Sequence, residues 1–202
     1  MARFERSFAS LQNLDYRKLW WAGTFSFMSV QMQFLLRGVL AWDLTEREGA
    51  LGLVYLCFGI ALLVATPLGG VAADRLPKRR VLIVSQGAIL AAAAGMGIVV
   101  LTDVVQYWML LVAAVTQGVA FGFLGPTRVA FTSEIVGRDQ LGNAITLSLL
   151  SMNGTRVIAP AFAGALAGVV FIGIGGAYVV SAVFSLLSFV LLLRCPPGSS
   201  PR

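Results

Sequence analysis

Histidine is absent from this chain of 202 residues, and cysteine occurs only at Cys57 and Cys195. Zinc centres and proton transfer near neutral pH lean on these two residue types. Cys57 lies inside an apolar run and Cys195 just beyond the last one, so they read neither as a disulfide pair nor as a metal site. Carboxylates are scarce too: there are nine Asp and Glu, none deep within an apolar run. With no His, no buried carboxylate pair and no metal spacing, no constellation for general acid–base or metal chemistry assembles. The glycines at Gly173, Gly175 and Gly176 open onto an apolar run instead of a strand–turn–helix unit, which excludes a dinucleotide loop. The chain does not read as an enzyme and calls for no metal or cofactor.

Charge is sparse and apolar sequence abundant. Only 12% of residues are charged and 58% are hydrophobic, where soluble domains carry about 25% charged residues. The 22 glycines and 7 prolines fall largely within the apolar runs. Soluble helices tolerate that poorly, but neighbouring helices in a bilayer re-satisfy the backbone. Six runs have spanning length, about 20 residues for a core about 30 Å thick; they lie near 19–42, 50–72, 81–102, 107–130, 143–168 and 172–193. Trp20 and Trp21, and Tyr107 with Trp108, stand at run boundaries where aromatic belts form. The expected fold is an all-α integral membrane protein with the lipid bilayer as its solvent. Residues 1–18 form a cytoplasmic amphipathic lead-in without the apolar core of a cleavable signal peptide; residues 19–193 form a six-helix transmembrane bundle, and 194–202 a cytoplasmic tail.

The bases orient it. Arg3, Arg6, Arg17, Lys18, Arg75, Lys78, Arg79, Arg80, Arg138, Arg194 and Arg202 fall on one side of the alternating spans, and Arg47 alone falls on the other. This bias places both termini and residues 75–80 in the cytoplasm. It also accounts for the net charge of +6 without nucleic acid as a partner. Arg128 is near the inner end of the fourth run, from which it can snorkel to the interface. Arg37 and Arg156 lie deep within the first and fifth.

Between the second and third runs stands Gly70-x-x-x-Asp74-Arg75-x-Pro77-Lys78-Arg79-Arg80. This pattern resembles the signature loop of the major facilitator superfamily, with Pro77 where the family usually has Gly and Lys78 where it has Arg. The stretch LQNLDYRKLWWAG resembles the family's cytoplasmic lead-in to helix one, and AWDLTEREGALGLVYL and GPTRVAFTSEIVGRDQLGNAITL are similar to the efflux branch that includes macrolide-efflux and enterobactin-exporter-like proteins. The resemblance implies one half of a major facilitator fold, with six transmembrane helices as two inverted three-helix repeats. It implies multi-pass placement in a plasma (bacterial inner) membrane. Gly70, Asp74, Arg75, Lys78, Arg79 and Arg80 would serve as a conformational latch to a carboxy-terminal six-helix half. Gly70 would permit close helix approach there. Two departures argue against ordinary proton-for-drug exchange. Ala114 stands where many proton antiporters carry Arg, and the antiporter signature survives only as Ala159-Pro160-x-x-Ala163-Gly164.

An Arg at mid-helix costs about 2.5–3.5 kcal/mol on insertion scales, so Arg37 and Arg156 should face the bundle or a wet cavity. Ser29, Gln33 and Arg37 align at steps of four, and Asn153 and Arg156 at a step of three. Gln117 joins them as a substrate-cavity candidate. Two readings stand for the arginines: cohesion between helices, or recognition of an anionic or polyphenolic solute by a fork of donors. Asp43, at the outer end of the first run, is the nearest acid to Arg37 in sequence. Pro67, Pro126 and Pro160 are expected helix kinks, and Gly118-x-x-x-Gly122 and Gly164-x-x-x-Gly168 are expected packing faces. The implied function is secondary-active efflux of a small organic solute, anionic or amphipathic, by alternating access. The alternative is a six-helix membrane module that binds or regulates a partner without moving solute.

Overall fold

A computed structural model describes residues 9–169 and 173–196; Arg3, Arg6, Arg202 and most of the expected tail lie outside the described residues. A short 3-10 turn, Ala9–Gln12, leads into α1, Leu14–Thr45. Asn13 caps α1, its side-chain oxygen accepting from the amides of Asp15 and Tyr16 at 3.0 and 3.2 Å. Then come α2, Glu48–Arg75; α3, Lys78–Leu101; α4, Tyr107–Ala167; and α5, Gly173–Leu193. The α2–α3 break follows from Pro77. A residue before proline is driven out of the helical region, and Leu76 is extended at φ −113°, ψ 155°.

The element count differs from the expected six. Among the described residues four helices, α2 to α5, are long and apolar enough to cross a membrane. The polar stripe of Ser26, Ser29, Gln33 and Arg37 keeps α1 out of that set. The runs expected at 107–130 and 143–168 both fall within α4, which is 61 residues long. Its backbone leaves the helical region only at Gly137, with φ 73° and ψ 173°, a conformation essentially restricted to glycine. Pro67, Pro126 and Pro160 lie inside helices, and the break in α4 is at neither of its prolines.

Gly137 divides α4 into arms of opposite direction, as the contacts demonstrate. The first arm runs parallel to α2: Tyr107 bonds Ala50, Gly118 meets Phe58 and Ala61, and Gly122 meets Ala65. The second arm runs parallel to α1 along a ladder of hydrogen bonds. Tyr16 donates to the carbonyl of Ala144 at 2.7 Å, Trp20 to that of Leu147 at 3.0 Å, and Thr24 pairs with Ser151 at 2.6 Å. Since α1 and α2 are themselves antiparallel, with Tyr55 bonded to Phe34 and Leu51 against Gly38, the two arms must oppose each other. Trp20 and Tyr107 therefore face inward as interhelical donors and not outward into a belt, whereas Trp21 and Trp108 are exposed.

A buried amide ties α1, α3 and α5 together. Gln86 accepts from Ser26 at 2.8 Å and donates to Ser185 Oγ at 2.9 Å, and Ser188 donates to the Ala22 carbonyl at 2.7 Å. Such bonds hold helices where apolar burial cannot, because lipid tails are as apolar as leucine. Cys195, just past α5, is buried. Burial pushes its thiol up to about 11, so it stays protonated at neutral pH.

Glycine sets the α2–α4 spacing. A Cβ on Gly69 would stand 2.3 Å from the Gly122 carbonyl oxygen, and one on Gly122 would stand 2.6 Å from the Ala65 Cβ. The expected Gly118–Gly122 face is thus a true close approach. Gly164 has only an ordinary contact, 3.6 Å to Leu35, and Gly168 meets its own helix. Gly70, expected at a helix contact, is open: a Cβ added there would meet nothing within 4 Å. One residue earlier, Gly69 turns a face about 100° away toward α4. Gly122→Ala and Gly69→Ala should each destabilise the bundle by about 1–3 kcal/mol, read as a lower thermal midpoint in detergent. Gly70→Ala should not lower that midpoint, since an open helical position favours alanine over glycine.

Candidate functional site

The three polar residues at steps of four on α1 point inward together. Ser29, Gln33 and Arg37 are 0%, 1% and 2% exposed. Gln33 Nε2 donates to Ser29 Oγ at 3.0 Å, and Arg37 Nε donates to the Gln33 carbonyl at 3.2 Å. Arg37 Nη2 donates to Oε1 of Gln117 on the first arm of α4, where Gln117 is fully buried. The guanidinium carbon lies 5.7 Å from the Phe34 ring centroid, a cation–π distance. Each hydrogen bond from a charged donor contributes about 1.5–3 kcal/mol. Two of them offset the insertion cost of one Arg, about 2.5–3.5 kcal/mol. Arg37 can therefore stay buried without an acid. Asp43 is exposed at the end of α1 and makes no ion pair with it. Two polar groups in this region have no partner among the described residues, Gln117 Nε2 and the Tyr178 hydroxyl.

Four of the six cavity candidates thus converge: Ser29, Gln33, Arg37 and Gln117. Asn153 and Arg156 do not join them. Both are exposed on the second arm of α4, beside exposed Leu149, Leu150, Val157 and Ile158. Of the two places expected for Arg156, the bundle interior or a wet cavity, the bundle interior is not where it lies. The face of the second arm that meets α1 is the one carrying Ala144, Leu147 and Ser151, and Arg156 lies off that stripe.

The loop after α2 also divides. Lys78 Nζ meets Glu134 Oε1 at 2.6 Å, and Arg79 Nη2 donates to the Leu193 carbonyl at 2.5 Å, at the C-terminal end of α5 where a helix carries partial negative charge. These two bases fasten α3 to its own bundle. Asp74, Arg75 and Arg80 are exposed, and none of the three is in an ion pair among the described residues. Glu134 carries no motif that singles it out. The one signal for it is an acid just past the fourth apolar run, on the same side as the basic loop.

Arg128 does not snorkel. It is 9% exposed, with its guanidinium carbon 5.3 Å from the Phe27 ring centroid. The first arm continues helically to residue 136, so Arg128 sits about 12 Å short of the arm's end. It borders a small void of about 10 Å³ and a larger cavity of about 330 Å³ between the arms. An apolar groove of about 640 Å³, with Arg80 at one end, runs between α3 and the first arm.

A family model described as Major Facilitator Superfamily matches residues 19–202. Among curated proteins, the enterobactin exporter EntS of Citrobacter koseri is 27% identical over 163 residues, covering 79% of this chain and 38% of that protein. The enterobactin exporter EntS of Shigella boydii is 28% identical over 163 residues with the same coverage. That of Shigella flexneri is 26% identical over 159 residues, 78% of this chain and 38% of the relative. The matched stretch covers 38% of each of these relatives, so the chain spans less than half of their length.

The Arg37–Gln117 bond makes a specific demand on stability. Gln117→Ala should destabilise the bundle by about 1–3 kcal/mol, because it strands a buried charged donor. Adding Arg37→Met should restore part of the loss, since removing both partners is milder than removing one. Thermal unfolding of the two variants in detergent reads the difference.

Proposed function

The chain belongs to the major facilitator superfamily, and we propose that it forms the amino-terminal bundle of a secondary-active exporter in a bacterial inner membrane. The cargo is a small organic solute, anionic or amphipathic, moved by alternating access against a second six-helix bundle. In this reading α1, α2, α3, the two arms of α4, and α5 are six spans in two inverted three-helix repeats, bounded by the lead-in 1–18 and the tail 194–202. Both termini and the α2–α3 loop are cytoplasmic, a placement that the distribution of bases supports.

The observation that carries the proposal is the placement of Arg156, with Asn153, on an exposed and mostly apolar helix face. Facing lipid there would cost about 2.5–3.5 kcal/mol with nothing to offset it. A water-filled cavity walled on its far side by another bundle removes that cost. Asp74, Arg75 and Arg80 support the same view, for they are the loop charges left over once Lys78 and Arg79 are engaged within the bundle. They are free to meet a second bundle as a latch. Arg156 and Asn153 then contact solute, while Ser29, Gln33, Arg37 and Gln117 form the rigid polar spine behind them. Efflux as the direction follows the names of the relatives.

Topology and transport test it separately. In a background with both native cysteines replaced by Ser, a cysteine at Glu48 should react with an impermeant thiol reagent in intact cells, and one at Arg79 should not. The reverse pattern would sink the orientation. Co-expressed with a carboxy-terminal bundle, Arg156→Ala should reach normal membrane abundance while lowering transport of an anionic solute roughly tenfold, the worth of one charged hydrogen bond. Unaltered transport would remove Arg156 from the site. A bundle that is stable but moves nothing with any partner would favour a regulatory or binding module.

A further inference from the structure

We propose that Arg128 is an anion-docking residue, which holds the acidic head of an amphipathic monoanion whose apolar body lies in the cavity between the arms of α4. Arg128 Nε and Nη2 are buried and have no hydrogen-bond partner among the described residues. The residue makes no ion pair there either. These two nitrogens form one edge of the guanidinium, the edge that meets a carboxylate through two parallel hydrogen bonds. The rest of the group is held in place. Phe27 lies at cation–π distance, and a Cβ on Gly23 would stand 3.2 Å from Nη1, so the glycine leaves room for the guanidinium itself. The surroundings fix the geometry of the guanidinium without neutralising it.

The neighbouring space suits a ligand with one charge and an apolar body. The cavity of about 330 Å³ is lined by Phe121, Ile145, Leu149 and Met152, with Thr132 and Ser148 as its hydroxyls. That volume falls at the small end of the range for small-molecule sites, about 300–1,000 Å³. The void of about 10 Å³ that also borders Arg128, beside Tyr16, Trp20 and Ser151, holds no more than one water. A single water offers the two nitrogens one oxygen and no countercharge, whereas Arg37 has two protein acceptors, the Gln33 carbonyl and Gln117 Oε1. With one guanidinium, two hydroxyls and an otherwise apolar lining, the matching ligand carries one negative charge. A dissolved aryl or alkyl carboxylate and an anionic lipid share that chemistry. The proposal rests on the efflux reading only in treating the anion as cargo.

The test uses the full chain purified into nanodiscs of zwitterionic lipid, with naphthalene-2-carboxylate and its neutral carboxamide as probes in equilibrium dialysis. The carboxylate should bind about tenfold or more tightly than the amide, and Arg128→Gln should abolish that preference. Arg128→Lys should weaken carboxylate binding, because Lys keeps the charge and loses the paired edge. The ligand-free thermal midpoint should rise in Arg128→Gln, since an unpaired buried charge has gone. Equal binding of the two probes, or an undiminished preference in Arg128→Gln, overturns the proposal. Should Arg128→Gln fail to fold, unchanged affinity in Arg128→Lys overturns it instead. Discs containing phosphatidylglycerol separate the sources. Arg128-dependent competition by that lipid assigns the site to an anionic lipid, and its absence assigns the site to a dissolved anion. Arg128-dependent binding without movement of the probe across vesicles that also hold a carboxy-terminal bundle would overturn the efflux reading and leave the docking site standing.

Discussion

A polar group surrounded by hydrocarbon must find its partners within the protein, because no water is at hand to replace them. Three buried knots in this bundle meet that constraint to different degrees, and the degree separates cohesion from chemistry. Gln86 uses both ends of its amide, accepting from Ser26 on α1 and donating to Ser185 on α5. Arg37 is nearly as well served, by the Gln33 carbonyl and the Gln117 amide. Arg128 has an aromatic face beside it and two donors with no partner among the described residues. Satisfied networks rigidify a fold, whereas an unmet group calls for something to meet it.

The same constraint explains why small residues bear so much of the packing. Dispersion and hydrogen bonds draw helices together in a membrane, and both need close approach. Gly69, Gly118 and Gly122 bring α2 against the first arm of α4 with no room for another carbon. On α1 the complementary device is the ladder from Tyr16 through Trp20 to Thr24, which reaches the second arm. Gly137 lets these two arrangements coexist, since it allows one stretch of helical chain to reverse and serve two neighbours.

Charge at the ends divides between internal fastening and outward display. Lys78 and Arg79 hold the start of α3 to Glu134 and to the end of α5. Asp74, Arg75 and Arg80, within a few residues of them, are exposed. Helical rotation of about 100° per residue accounts for neighbouring charges of one loop and helix start doing different work. It also separates Gly69, at a contact, from Gly70, which meets nothing.

Much was legible in the sequence by itself. Sparse charge, apolar runs and alternating bases determined the class, a multi-pass helical membrane protein, because hydropathy and length are summed over many residues and survive local error. The loop from Gly70 to Arg80 pointed to the family, which the family match over residues 19–202 established. The steps of four placed Ser29, Gln33 and Arg37 on one face, and all three are buried. Tertiary structure alone decided which face of each helix meets a neighbour. Periodicity groups residues on a helix but cannot orient a helix that is apolar nearly all round. For that reason Arg156 proved exposed, Arg128 proved buried, Glu134 emerged as the partner of Lys78, and Trp20 became an interhelical donor.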